Sequence, residues 1–270
     1  MKRLPFRIGT TSYIVPDEIL PNVRFLADQV DDVELVLFEI DDGPNNLPDA
    51  DTIHELQNVA RQYSLTYTVH LPLDLRLAED GEVQHLSMRK ARKVIDCTRD
   101  LNPRAYILHL DGKEIVQSSD PKALQTWNEQ AVKALKIVST WVKDARLLAV
   151  ENLEKYPLNF WDEVIHRTQV SRCIDIGHLW WDGHDPIPYL ERHLGRANVL
   201  HIHGVSDRDH RSLSQVPLDE LYRVIRFVWQ SGFQGVMTVE VFGQEDFETS
   251  MRAIEHVLIR LDEEKVWEKK

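Results

Sequence analysis

A chain of 270 residues with 44 acidic against 32 basic side chains, a formal charge of −12, lacks the clustered Lys and Arg that an extended DNA-binding surface needs. Its 43% apolar content suffices for a sizeable core, yet no apolar run approaches the roughly 20 residues of a membrane span. Two cysteines, Cys97 and Cys173, make neither a disulfide framework nor a cysteine zinc site, which fits a reducing cytosol.

The opening MKRLPFRIGTTSY carries the charge of a secretory leader, but Arg7 and the polar TTS leave no apolar segment behind it, so a cytosolic chain is expected. From there, apolar strand-like runs alternate with helix-period segments. The strands are FRIGT (6–10), VELVLFEI (33–40), LTYTVH (65–70) and AYILHL (105–110), then RLLAVEN (146–152), VSRCIDI (170–176), NVLHIHG (198–204) and GVMTVEVF (235–242). The segment NEQAVKALKIVSTWV shows the helical pattern, with Val132, Leu135, Ile137, Val138 and Trp141 as its apolar stripe. The basic run RKARK (89–93) reads as a solvated helix face. Eight strands each followed by a helix predict one (β/α)8 TIM barrel spanning 1–270. A doubly wound sheet is the alternative, but no G-x-G-x-x-G follows the first strand. The two longest connections, 71–82 and 205–217, would lie on the active face of a barrel.

The strand ends share one chemistry. Strand two ends near Glu39, strand three at His70, strand four at His109 and strand five at Glu151. Strand six gives Asp175 and His178, strand seven His201 and His203, and strand eight Glu240. Catalytic groups of this fold sit at that C-terminal face. A carboxylate such as Glu151 or Glu240 entering a barrel mouth must be paired or metal-bound. Gly177, between Asp175 and His178, suits a chain leaving a strand through a tight turn. His201 and His203 stand two apart and share a strand face, so one of them is the expected metal ligand and His203 is assigned to the substrate. Glu39 either supports the site or caps the rim. In the loop beyond, Asp207, Asp209 and His210 either extend the site or form an ordinary charged loop. Trp180 and Trp181 are either rim packing or an aromatic wall for the substrate. Oxygen and nitrogen donors without sulfur suit Zn²⁺, Mn²⁺ or Fe²⁺, and the surplus of donors points to two or three ions. Paired ions suit in-line displacement at phosphorus, with Glu151, Glu240 and His178 as the expected catalytic groups.

The series HLP (70–72), HLD (109–111), ENLE (151–154), DIGH (175–178), HIH (201–203) and VEVF (239–242) resembles the endonuclease IV-like superfamily, which shares the xylose isomerase-like TIM barrel. The resemblance implies that Glu151 bridges two metals, with His70 and His109 toward one and Asp175, His201 and Glu240 holding the other. A third ion would take His178 and His210 with an aspartate. Here the chain departs from the pattern, because Asp207-Arg208-Asp209-His210 places no Asp two before a His. The opening 7–39 and the loop DRDHRSL (207–213) are most like the cobamide-remodelling phosphodiesterases. That likeness implies hydrolysis of the nucleotide-loop phosphodiester of a cobamide to cobinamide phosphate and a riboside, with a corrinoid as partner and neither nucleic acid nor membrane. A sugar isomerase or epimerase with one ion on Glu151, Asp175, His201 and Glu240 is the competing reading. A DNA repair endonuclease is weakened by the charge, and a non-catalytic binding protein by the full ligand set.

Overall fold

The computed structural model describes residues 4–38 and 45–268. Eight parallel strands close in chain order: β1 (Arg7–Thr11), β2 (Asp32–Val36), β3 (Thr66–His70), β4 (Tyr106–Leu108), β5 (Leu148–Glu151), β6 (Ser171–Asp175), β7 (Ala197–Ile202) and β8 (Val236–Val239). Closure pairs Arg7 of β1 with Val236 of β8 and Thr10 with Val239. The predicted (β/α)8 barrel is the observed fold.

Successive residues of each strand point alternately into the barrel and out toward the helices. The outward residues and the helices make the main core. In the helix Pro121–Ser139, Val132, Leu135 and Val138 are buried against the barrel, and each such side chain contributes roughly 1.5–3 kcal/mol. Pro121 opens that helix, and the Asp120 carboxylate caps it by accepting the Lys122 N–H. Inside the barrel, Ala105, Ile107, Ala149, Cys173 and Val199 form a separate apolar cluster. The interior is thus packed rather than open, and the polar residues at the C-terminal strand ends stand on an apolar plug.

The strands are shorter than expected. β2 stops at Val36 because the Asn46 side chain takes over the backbone bonds: its Oδ1 accepts the Phe38 N–H and its Nδ2 donates to the Val36 carbonyl, each at 2.8 Å. Glu39 lies outside the described residues. β8 stops at Val239 and leaves Glu240 one residue beyond it. In the basic run, Arg89, Arg92 and Lys93 are exposed as expected, whereas Lys90 is buried. Among the described residues no helix is long and apolar enough to cross a membrane.

Candidate metal centre

The inward positions at the C-terminal strand ends converge. His70, His109 and Glu151 bring ligand-capable atoms within 4.8 Å of one another, and so do Glu151, Asp175, His201 and Glu240. Glu151 belongs to both groups through different oxygens. Its Oε2 faces His109 Nε2 at 3.0 Å and His70 Nε2 at 3.5 Å, while its Oε1 faces His201 Nδ1 at 3.1 Å. Glu240 Oε2 stands 3.0 Å from the same His201 nitrogen. A third group is His178, His203 and His210, its rings 4.3 to 5.8 Å apart. His210 Nε2 reaches Glu240 Oε2 at 3.4 Å and so joins the third group to the second.

Most of these imidazoles are tied at one nitrogen and present the other to the cluster. His70 Nδ1 lies 2.9 Å from the Leu71 carbonyl, His109 Nδ1 3.1 Å from Asp74 Oδ1, and His178 Nδ1 3.0 Å from the Asn152 carbonyl. His201 is tied the other way round, with Nε2 3.0 Å from Glu34 Oε2. Anchoring one ring nitrogen fixes tautomer and orientation, the usual support of a metal-binding histidine. Four buried atoms of the cluster have no hydrogen-bond partner: Glu34 Oε1, Asp175 Oδ2, His203 Nε2 and Glu240 Oε2. Orphaned lone pairs are costly in a buried site. Divalent cations held by the second and third groups would satisfy the Asp175, Glu240 and His203 atoms, so the donor set fits Zn²⁺ or Mn²⁺.

Electrostatics agree with the geometry. Burial opposes charge on Glu151 and Glu240, but His201 and the neighbouring imidazoles outweigh it and hold both carboxyls well below the usual range. Burial likewise opposes charge on His109 and His210, yet bonds to Asp74 and Glu151 push the first up to about 10, and Glu240 pushes the second up to about 10. Protons on the imidazoles thus balance the carboxylates where bound cations would displace them.

Residues 29–261 match the family profile described as xylose isomerase-like TIM barrel. The chain belongs to that family. A search of curated protein sequences gives no significant match. Among solved structures, a D-tagatose 3-epimerase-like protein superposes with a TM-score of 0.70 at 16% identity, covering 96% of this chain and 99% of that one. Endonuclease IV from Thermus thermophilus has a TM-score of 0.70 at 17% identity, with coverages of 94% and 99%. The IolI protein, crystallised with a zinc atom, has a TM-score of 0.70 at 12% identity, with coverages of 94% and 99%. At these identities the likeness is one of fold.

Within this xylose isomerase-like barrel, the structure gathers His70, His109, Glu151, Asp175, His178, His201, His210 and Glu240 at one mouth, as the strand ends suggested. It also places the residues whose roles the sequence left open and corrects the reading of Gly177. His203, assigned to the substrate, stands beside His178 and His210, with its buried Nε2 3.4 Å from Asp175 Oδ1. Gly177 does not make a turn. It sits in the helix Ile176–Trp181, which Asp175 caps by accepting the His178 N–H at 2.7 Å. A Cβ at Gly177 would come within 2.2 Å of the His203 ring, so the glycine makes room for that imidazole. Trp180 and Trp181 do not line the cavity. Trp180 Nε1 donates to Glu220 on the helix Leu218–Gln230 at 3.3 Å, which places the ring at the packed outer side. Tyr156 and Phe242 supply the aromatic wall instead. Asp207 is turned away to Ser206 and Arg211, whereas Asp209 lines the cavity and holds His210 Nδ1 at 3.3 Å.

Three supporting residues escaped the sequence reading. Glu34 is fully buried in β2, Asp74 orients His109 from the loop 71–82, and Asn152 clamps the Asp175 backbone with two bonds of 3.0 Å. The one available signal was the carboxylate inside the apolar run VELVL. The cavity over the cluster measures about 540 Å³, and Lys113 and Lys155 stand on its wall. Lys155 adopts a left-handed conformation (φ 66°), its N–H held by Asp182 Oδ2 at 2.6 Å.

Proposed function

We propose that this chain is a metal-dependent phosphodiesterase holding two or three divalent ions, Zn²⁺ or Mn²⁺, and that it hydrolyses the nucleotide-loop phosphodiester of a cobamide to cobinamide phosphate and a riboside. The observation that carries the multi-metal reading is Glu151, whose two oxygens face two separate donor groups. In a single-ion enzyme His70, His109 and His210 would instead be polar contacts to the substrate. Ions bound there would supply Lewis-acid polarisation at phosphorus and a water of lowered pKa. His70, His109, Asp175, His201 and Glu240 would hold them around Glu151, and His178, His203 and His210 would take a third. Lys113 and Lys155 place positive charge where a phosphate's non-bridging oxygens approach. Tyr156 and Phe242 offer apolar contact to the flanking groups. A cavity of about 540 Å³ admits the phosphodiester and its ribose, leaving a broad corrin ring against the mouth. The net charge of −12 disfavours a DNA duplex as substrate.

One observation favours a second reading. Glu151, Asp175, His201 and Glu240 form a self-sufficient tetrad for one ion, and solved structures of similar fold include a D-tagatose 3-epimerase-like protein and an L-ribulose 3-epimerase. The deciding experiment incubates the purified chain with Zn²⁺ or Mn²⁺ and either a complete cobamide or a ketose, with product analysis and elemental metal counting. Two or three metals per chain with cobinamide phosphate and riboside support the phosphodiesterase, and chelator should stop that reaction. One metal with an epimerised ketose overturns it.

A further inference from the structure

We propose that Glu34 is a positioning residue for the metal centre: it holds His201 by Nε2–H, so that the Nδ1 lone pair is the one directed at the ion shared with Glu151, Asp175 and Glu240. This rests on the metal-centre reading but not on the choice of substrate, since the tetrad serves hydrolase and epimerase alike.

Glu34 lies in mid-strand on β2 with no solvent exposure. Its Oε2 is 3.0 Å from His201 Nε2 and 3.4 Å from the Thr238 hydroxyl, which donates to it. On the opposite edge of the ring, His201 Nδ1 lies 3.1 Å from Glu151 Oε1, 3.0 Å from Glu240 Oε2 and 3.9 Å from Asp175 Oδ2. The two ring nitrogens therefore face different partners: one carboxylate below, three above. A cation shared with Glu151, Glu240 and Asp175 would therefore meet the Nδ1 edge, while Nε2 stays with Glu34. His70, His109 and His178 are each anchored through Nδ1. His201 is anchored through Nε2, and, as at His109, a carboxylate does the anchoring. A carboxylate partner makes the opposite ring nitrogen a stronger donor to metal. A merely structural Glu34 would pair with the ring and leave the metal affinity of the folded chain untouched.

The test measures Zn²⁺ affinity by titration calorimetry on wild type, Glu34→Gln and Glu34→Leu, alongside ¹⁵N-histidine NMR of the zinc-loaded wild type. Glu34→Leu should weaken the tetrad's zinc affinity 10- to 100-fold. Glu34→Gln should lie nearer wild type, because its amide oxygen still accepts the Nε2–H. Turnover of both variants should recover toward wild type as zinc is raised. The NMR should show His201 protonated at Nε2 and metal-bound at Nδ1. A folded Glu34→Leu with wild-type affinity overturns the proposal, as does the opposite tautomer, which decides the matter even if Glu34→Leu fails to fold. A wild type that binds no zinc overturns the metal-centre reading itself, and the two failures are thereby distinct.

Discussion

Glu151 at the mouth of the barrel and Asp32 at its floor are both fully buried carboxylates, and they ionise in opposite directions. Burial raises both. At Glu151 the charge of His201 and the bonds from His109, His201 and His70 outweigh burial and hold the carboxyl well below its usual range. At Asp32 the side chain accepts from the hydroxyls of Thr66 and Thr68, burial prevails, and the carboxyl is pushed up to about 6. Depth alone does not decide the charge of a barrel interior. The basic partners do, and the mouth is where they cluster.

The largest effect should come from removing the charge at the mouth. Glu151→Gln keeps the side chain's shape and should lower turnover on the order of 10³-fold or more while leaving circular dichroism unchanged. Elemental analysis should show at least one metal lost per chain, and a fully loaded, active Glu151→Gln would remove the bridging role. Next comes metal removal. Ligands that bind only the native state at 100 to 1,000 times their Kd stabilise it by about 3–4 kcal/mol, so chelator should lower Tm by roughly 10 °C. An unchanged Tm would mean the mouth is balanced by protons alone. Gly177→Ala is smaller and local. Its methyl group meets the His203 ring, so a loss of about 2–3 kcal/mol in urea unfolding is expected, together with weakened binding of the ion near His178 and His210. Wild-type stability in Gly177→Ala would show that His203 is free to move.

The floor gives the smallest effect, with a defined pH dependence. The folded pKa of Asp32, about 6, lies above its ordinary value of 3.8, so the folded chain holds the extra proton between those values. Wild-type stability therefore falls as pH rises from about 4 to about 6, and the full cost persists above it. Asp32→Asn should be more stable than wild type by up to about 3 kcal/mol at pH 8, less whatever the Thr66 and Thr68 bonds lose, and the gain should fade by pH 4. Denaturant melts at the two pH values check this. A variant less stable than wild type at pH 8 would show that the threonine hydroxyls outweigh burial.

Much of this centre was legible before any coordinates. Short, mostly apolar runs separated by amphipathic segments specify eight strands and eight helical crossovers, and chain connectivity places every strand's C-terminal end on one face. His70, His109, Glu151, Asp175, His201 and Glu240 sit at those ends, so their convergence follows from connectivity and alternation alone. Local spacing was a poorer guide to individual roles. The Asp175 and His178 pair was read with a turn at Gly177, but the strand passes directly into a helix and the glycine answers to a ring on a different strand. Trp180 and Trp181 follow His178 closely in sequence, yet the helical turn directs Trp180 toward Glu220 and away from the cavity.

What the sequence determined by itself was the barrel and the donor chemistry of its mouth, because both depend on periodicity and on the order of elements. What only the tertiary structure decided was depth and partnership. Barrel closure staggers the strands: Glu34 pairs in register with Thr11, and Thr10 with Val239, which puts mid-strand Glu34 level with Glu240 just past the end of β8. A carboxylate in the middle of one strand thus reaches a histidine near the end of another, 167 residues away. The same closure sets His203 against His178 and brings His210 from its loop to Glu240. Such contacts depend on shear between strands, a property of the closed sheet that no single strand's residues encode.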